Sequence, residues 1–320
     1  MGAVFTITFP IYAAIALGYV LVRMGWFSQA DTRLFGRFVL NVALPALLFH
    51  ALATRDVTEI FQPSYALVFM MGGIATIVLG WVWFRLTEPQ SPRRALALMG
   101  ISCPNSGFIG YPVMLLLLPD QAGLILGLNF LVENFVIIPL CLVLLGLSDA
   151  SEPSPWRRVG TTLLNVLKMP LVIALLLGLG FSASGLALPA SAGRVMDMLG
   201  ASAAALSLIS IGGALFQVPL TGNLWLALQI AGGKLILHPL VMAAVAFALL
   251  GSGWVTLSPD LLLALILSSA MPMLTVFLLF AQQRDLGDIA SLSLLITTVL
   301  GFFTLSAALL ILPPWLASLQ

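Results

Sequence analysis

The chain has 320 residues, 61% of them hydrophobic and 8% charged, with a formal net charge of +1 at pH 7. Apolar runs of about 20 residues recur along its whole length, more apolar surface than a soluble domain of this size can hide, so the class is an all-α membrane protein. The near-zero charge, without any basic cluster, excludes nucleic acid as a partner and gives no sign of an acidic one.

Hydropathy places ten spans, at roughly 4–22, 35–53, 64–85, 95–118, 122–147, 161–182, 196–217, 224–250, 259–281 and 288–312. Each is long enough to cross an apolar core of about 30 Å at about 1.5 Å per residue. Span 1 has no basic leader and reads as an uncleaved helix, not a signal peptide. Asn41 in span 2 lies one turn before Pro45. It is assigned to the carbonyl that the proline frees, with a place at the substrate site as the alternative. Span 3 carries Gly72-Gly73, a close-packing surface. Span 4 breaks at Ile101-Ser102-Cys103-Pro104-Asn105-Ser106-Gly107. Span 5 carries Asn129, Glu133 and Asn134 at depth.

The connection 148–160 is the chain's only stretch rich in Ser, Pro and charge. It separates a first half, 1–147, from a second, 161–320, and serves as a cytoplasmic linker. In span 8, Lys234 lies too deep to reach an interface, so it pairs or faces water. The economical partner is Glu133, either as an ion pair or as a proton-titrating carboxylate held near a cation; simple neutralisation that fixes helix packing is the alternative. His238, one turn after Lys234, is a candidate proton shuttle or a packing residue. His50 lies near a span end and is interfacial. Span 9 breaks at Leu267-Ser268-Ser269-Ala270-Met271-Pro272-Met273.

Proline inside a helix removes one hydrogen bond and displaces the carbonyl four residues back. In hydrocarbon an unwound segment persists only inside protein or beside a water-filled cavity. The half-helix that starts after each break presents free N–H groups and a dipole that favour an anion. Asn105 and Ser106 cap such a start or donate to a carboxylate, and Gly107 and Gly110 allow a ligand or another helix to come close. Ser268 and Ser269 bond back to their own helix, at a depth where substrate oxygens or a proton-linked water would sit. Pro10, Pro45, Pro112, Pro139, Pro170 and Pro239 are assigned to structural kinks.

All seven tryptophans (Trp26, Trp81, Trp83, Trp156, Trp225, Trp254, Trp315) fall near span ends, as an interfacial belt predicts. Arg23, Arg33, Arg37, Arg85, Arg93, Arg94, Arg157, Arg158 and Arg284 sit on one set of connections, against Arg55 and Arg194 on the other. Positive loops stay cytoplasmic, so both termini are expected outside a bacterial inner membrane. Gly72-Gly73 recurs as Gly232-Gly233 and Pro104 as Pro272 at a nearly constant offset. Five spans per half then predict two inverted five-helix repeats with broken helices 4 and 9. Cys103 and Cys141 lie within apolar segments, and no disulfide framework, metal or cofactor is expected.

Asn105-Ser106-Gly107-Phe108-Ile109-Gly110-Tyr111-Pro112 is similar to the Asn-x-Gly-Phe-x-Gly-x-Pro stretch of the auxin efflux carrier family, in its bacterial membrane-transport branch. Asn41-Val42-Ala43-Leu44-Pro45 resembles that family's span 2, Lys234-Leu235-Ile236-Leu237-His238-Pro239 its span 8, and Ala270-Met271-Pro272 its second break. The resemblance covers essentially the whole chain. It implies spans 4 and 9 crossing at their prolines, a scaffold of spans 1, 2, 6 and 7, and a transport unit of spans 3–5 and 8–10 moving as an elevator. It also implies an organic anion as cargo: auxin in plants, dicarboxylates such as malate or malonate in some bacteria. The broader superfamily includes bile acid sodium symporters. The long hydrophilic central loop of many plant carriers is absent, which argues against auxin. Met273-Leu274-Thr275-Val276 is more apolar than the family pattern, so the second break is expected to be mainly geometric.

The expected function is therefore secondary active transport of a small mono- or dicarboxylate. Pro104, Asn105, Ser106, Gly107, Ser268, Ser269, Met271, Pro272 and Asn41 are the expected substrate contacts. Glu133, Lys234, His238 and Asn129 are the expected coupling and charge residues. Expected partners are the anion, a proton or a sodium ion, the bilayer and, as an open option, a second copy in a homodimer. The rivals are a sodium-coupled symporter of the bile acid type and a membrane sensor that binds an anion without moving it. No nucleotide-binding loop is present, so neither a primary pump nor an enzyme is expected.

Overall fold

The computed structural model describes residues 2–88, 90–147, 160, 164–216, 218 and 222–317. The expected linker at 148–160, with Trp156, Arg157 and Arg158, lies outside the described residues except for Gly160. The described chain is helical with no strand. Its main helices are α1 (Gly2–Arg23), α2 (Gln29–Ala53), α3 (Pro63–Thr87, after a single turn at Val57–Ile60), α4 (Ser91–Ser102), α5 (Ser106–Leu117), α6 (Ala122–Leu147), α7 (Pro170–Ala183), α8 (Ala190–Leu215), α9 (Leu224–Gly251), α10 (Pro259–Ala270), α11 (Phe277–Gln282) and α12 (Gly287–Ala317).

Among the described residues seven stretches are long and apolar enough to cross a membrane: Val4–Arg23, Gln29–Ala53, Val57–Thr87, Ala122–Leu147, Ala190–Leu215, Leu224–Gly251 and Gly287–Leu312. The expected spans 4, 6 and 9 contain shorter helices instead. Spans 4 and 9 are interrupted at the predicted breaks. Span 6 is interrupted as well: residues 164–167 are helical and the helix resumes at Pro170, because the residue before a proline is pushed out of the α region and Met169 is extended (φ −65°, ψ 133°). Trp26, Trp81, Trp83, Trp225 and Trp254 are all exposed on the protein surface.

Four prolines do more than bend helices. Pro45, Pro112, Pro139 and Pro239 each occupy the second position of an α-helical segment. Each is preceded by a five-residue π-turn, at Val39–Ala43, Ser106–Gly110, Glu133–Ile137 and Gly233–Leu237. In each turn the residue before the proline donates five residues back: Leu44 to Val39, Tyr111 to Ser106, Ile138 to Glu133, and His238 to Gly233. A proline cannot donate and crowds the carbonyl four residues back, and a widened turn relieves both problems. Glu133 and Lys234 lie within two of these turns.

The helices pack in two groups. In the first, α1 crosses α8, and α2 packs against α7 and α8. A Cβ built on Gly212 would lie 1.9 Å from the Ile15 carbonyl oxygen, and one on Gly18 2.2 Å from that of Ile209, so α1 and α8 meet backbone to backbone. In the second group α3, α4 and α6 pack with α9, α10, α11 and α12. Gly72 abuts Met242, Gly73 abuts Ile137 and Gly233 abuts Ile101, whereas nothing lies close to Gly232. Residues 95–102 of α4 and 261–270 of α10 are all buried, which suits helices that are apolar on every side. The groups meet where α5 touches α8 and α1, α6 touches α2, and α12 touches α1.

Candidate functional site

The two breaks lie side by side. Pro104 and Met273 form an isolated antiparallel bridge, in which the Asn105 N–H donates to the Pro272 carbonyl and the Leu274 N–H to the Cys103 carbonyl, both at 2.9 Å. The prolines that unwind each helix thus leave backbone groups that satisfy those of the other break. Cys103, Pro104, Asn105, Met271, Pro272 and Met273 are all buried.

The first break supplies donors. Asn105 caps α5: its Oδ1 accepts from the Phe108 N–H at 3.1 Å, and its carbonyl accepts from Ile109 and Gly110. Among the described residues no acceptor faces the N–H groups of Ser106 and Gly107, the first two of α5. Two orphan donors at a helix start are the chemistry that receives an anion. A Cβ on Gly107 would lie 3.2 Å from Leu44 and 3.4 Å from Phe130, so what comes close at Gly107 is neighbouring helices. The Phe108 carbonyl, left free by the Pro112 turn, accepts from Ser207 Oγ of α8 at 3.0 Å and so ties the two helix groups together.

The second break supplies acceptors, and it is more polar than its sequence suggests. Thr275 Oγ1 accepts from Asn105 Nδ2 at 2.8 Å. Ser268 Oγ accepts from Asn129 Nδ2 at 2.9 Å, and Asn129 Oδ1 accepts from the Tyr65 hydroxyl at 2.8 Å. This chain joins α10, α6 and α3 in the interior. Ser269 does bond back to its own helix, its Oγ donating to the Ile266 carbonyl at 2.7 Å. For Ser268 no such bond is present among the described residues, and its Oγ accepts from Asn129.

Glu133, 3% exposed, accepts from Ser106 Oγ at 2.5 Å. Lys234, fully buried, donates to the Ser269 carbonyl at 2.6 Å and sits 2.7 Å from His238 Nδ1. The expected Glu133–Lys234 ion pair is not made: among the described residues the contacts within 4.0 Å between acidic and basic side chains are His50–Asp197 and Arg55–Glu59. The π-turns set the two side chains on different partners, Glu133 on the first break and Lys234 on the second. Among the described residues His238 Nε2, which is buried, has no hydrogen-bond partner.

Asn41 is not brought to the site. It is exposed, and its Nδ2 donates to the Arg37 carbonyl at 2.8 Å, one turn earlier in its own helix. Its expected acceptor was the carbonyl freed by Pro45, but that carbonyl is its own, which its amide does not serve. Asn134 likewise bonds its own helix, at the Phe130 carbonyl. His50 pairs with Asp197 at 2.5 Å in a cleft of about 500 Å³ that also holds Arg55, Tyr111 and Asp120. Tyr65 and Thr275 were not singled out from the sequence. A tyrosine near a span end reads as interfacial, and a lone threonine in an apolar run carries no pattern.

Known proteins match this chain over nearly its whole length. A family model described as "Membrane transport protein" matches residues 3–309. An "Uncharacterized transporter" of Methanothermobacter thermautotrophicus is 25% identical over 307 residues, 95% of this chain and 97% of that protein. "Uncharacterized transporter YfdV" of Escherichia coli K12 is 24% identical over 306 residues, 92% of each chain. A protein of Rhizobium meliloti named "Putative malonate transporter" is 24% identical over 324 residues, 97% of this chain and 96% of that one. The chain is a member of the membrane transport protein family, the auxin efflux carrier group.

Proposed function

We propose that this protein is a secondary active transporter of a small organic anion, a mono- or dicarboxylate. It sits in a bacterial inner membrane with both termini outside and ten spans arranged as two inverted five-helix repeats. The observation that carries the reading is the pairing of the two breaks. It holds the unpartnered N–H groups of Ser106 and Gly107 in the interior beside Asn105, in a chain whose family moves solutes. Buried donors without acceptors cost free energy, and a carboxylate bound there would remove that cost.

The two packing groups fit an elevator. On this reading α1, α2, α7 and α8 are the scaffold, welded by the Gly18 and Gly212 contacts, and the remaining helices carry the site past it. The Ser207–Phe108 bond is then one of the contacts exchanged during movement. The name of the Rhizobium meliloti relative agrees with a dicarboxylate cargo. Glu133, held by Ser106 at the anion end, is the group through which a proton would couple.

The test is a screen of labelled mono- and dicarboxylates against purified protein in proteoliposomes, with imposed proton or sodium gradients. Saturable, gradient-driven uptake of at least one carboxylate supports the reading. Protein that binds carboxylates yet exchanges none of them would replace it with an anion sensor.

A further inference from the structure

Lys234 lies in the π-turn before Pro239 with none of its surface exposed. Among the described residues its Nζ has two hydrogen-bond contacts: the Ser269 carbonyl oxygen at 2.6 Å and His238 Nδ1 at 2.7 Å. Ser269 is the penultimate residue of α10, which ends at Ala270. Its carbonyl therefore belongs to a last turn, where carbonyls lack N–H partners and carry the negative end of the helix dipole. The carbonyl ends of broken half-helices are where transporters of this architecture hold a coupling cation. In this chain the contact is made by an ammonium tethered to α9. The other titratable groups that act on it are Glu133 from α6 and Cys103 from the first break, with His238 on its own helix.

We propose that the Lys234 ammonium is the resident cation of the crossing. It fills the place at the carbonyl end of α10 that a small monovalent cation would otherwise take, so the protein binds no sodium there and moves its anion without sodium. The last clause rests on the transporter reading; the occupancy does not, and it is tested without transport.

Purified full-length protein is unfolded thermally in chloride salts of sodium, methylammonium or the bulky N-methylglucammonium, at matched ionic strength. Wild type is expected to melt at the same temperature in all three. Lys234→Ala deletes Cγ through Nζ and leaves the Ser269 carbonyl and His238 without their cation. It should melt lower in N-methylglucammonium and recover saturably in methylammonium or sodium, by about 5 °C at concentrations far above the dissociation constant. A saturable sodium shift in wild type overturns the proposal, as does a folded Lys234→Ala that gains nothing from either small cation. If Lys234→Ala does not accumulate, the wild-type series decides by the same criterion. Carboxylate flux by wild type in proteoliposomes is expected to agree within about twofold between sodium and N-methylglucammonium. Flux that requires sodium overturns this inference and leaves the transporter reading standing. Absence of flux in every salt removes the transporter reading, and the melting series still decides the cation's identity.

Discussion

Asn105 allows the structural and electrostatic roles of the first break to be separated. Its Oδ1 caps Phe108 at 3.1 Å and its Nδ2 donates to Thr275 at 2.8 Å. Asn105→Ala removes both bonds, about 0.5–2 kcal/mol for the cap and about 0.5–1.5 kcal/mol for the other. A loss of anion binding in that variant would be mixed with a loosened crossing. Asn105→Asp is the cleaner perturbation. One carboxylate oxygen still accepts from Phe108, and the Thr275 hydroxyl can turn and donate to the other. What changes is a negative charge beside the Ser106 and Gly107 N–H groups, where the substrate carboxylate is proposed to sit. At about 4 Å and an effective dielectric of about 20, two unit charges repel by about 4 kcal/mol, about a thousandfold in affinity. At about 6 Å the repulsion is about 3 kcal/mol, or roughly a hundredfold. Labelled-carboxylate binding to purified protein, paired with thermal unfolding, reads both quantities. The expected result is a melting temperature within about 2 °C of wild type and affinity lower by about a hundred- to a thousandfold. Wild-type affinity in a folded Asn105→Asp would refute the placement of the anion at this helix start.

Tyr65→Phe removes one oxygen and leaves the buried Asn129 Oδ1 without its donor. It should cost about 1–3 kcal/mol, seen as a lower melting temperature, and an unchanged one would mean the Tyr65–Asn129–Ser268 chain does not hold the second break. Gly212→Ala puts a methyl 1.9 Å from the Ile15 carbonyl oxygen, which cannot move without moving α1. It should destabilise by about 1–3 kcal/mol or more, while Gly232→Ala, with nothing within 4 Å, should be neutral or stabilising in the same unfolding assay.

The breaks themselves were legible because a proline beside Ser, Asn and Gly in the middle of an apolar run has few physical explanations. Their pairing was expected only through a family resemblance, since no local pattern reveals which two segments meet. The π-turns were missed although their signal was present. A proline at the second position of a helical segment, with a polar residue four to six places earlier, occurs at Asn41, Ser106, Glu133 and Lys234. Reading those prolines as ordinary kinks hid the consequence that a widened turn changes which way the polar residue points. Direct contact between Glu133 and Lys234 is not made: depth and opposite charge bring the two near each other, but each side chain is taken by a different partner, Ser106 Oγ and the Ser269 carbonyl. Asn41 carries the same signal and yet lies exposed, so the pattern marks where a helix is re-aimed and not what it is aimed at.

The expectation that the second break is mainly geometric came from its side chains, and it neglected what the backbone contributes. At each break one helix ends and another begins, α4 and α5 at the first and α10 and α11 at the second. What differs is which groups are engaged from outside: the Ser106 and Gly107 N–H donors lie open at the first break, and the Ser269 carbonyl takes Lys234 at the second. Two backbone bonds hold the breaks together. On the proposed reading, the anion at the first end and the Lys234 ammonium at the second lie in the same buried crossing, where attraction between unlike charges is screened far less than at the surface. Each then offsets part of the other's desolvation cost, and the charge that enters the membrane with the anion is balanced by one the protein already carries. A carrier built this way has no need to bring in a cation with every cargo, which is why the sodium series is the measurement that bears most directly on how this chain works.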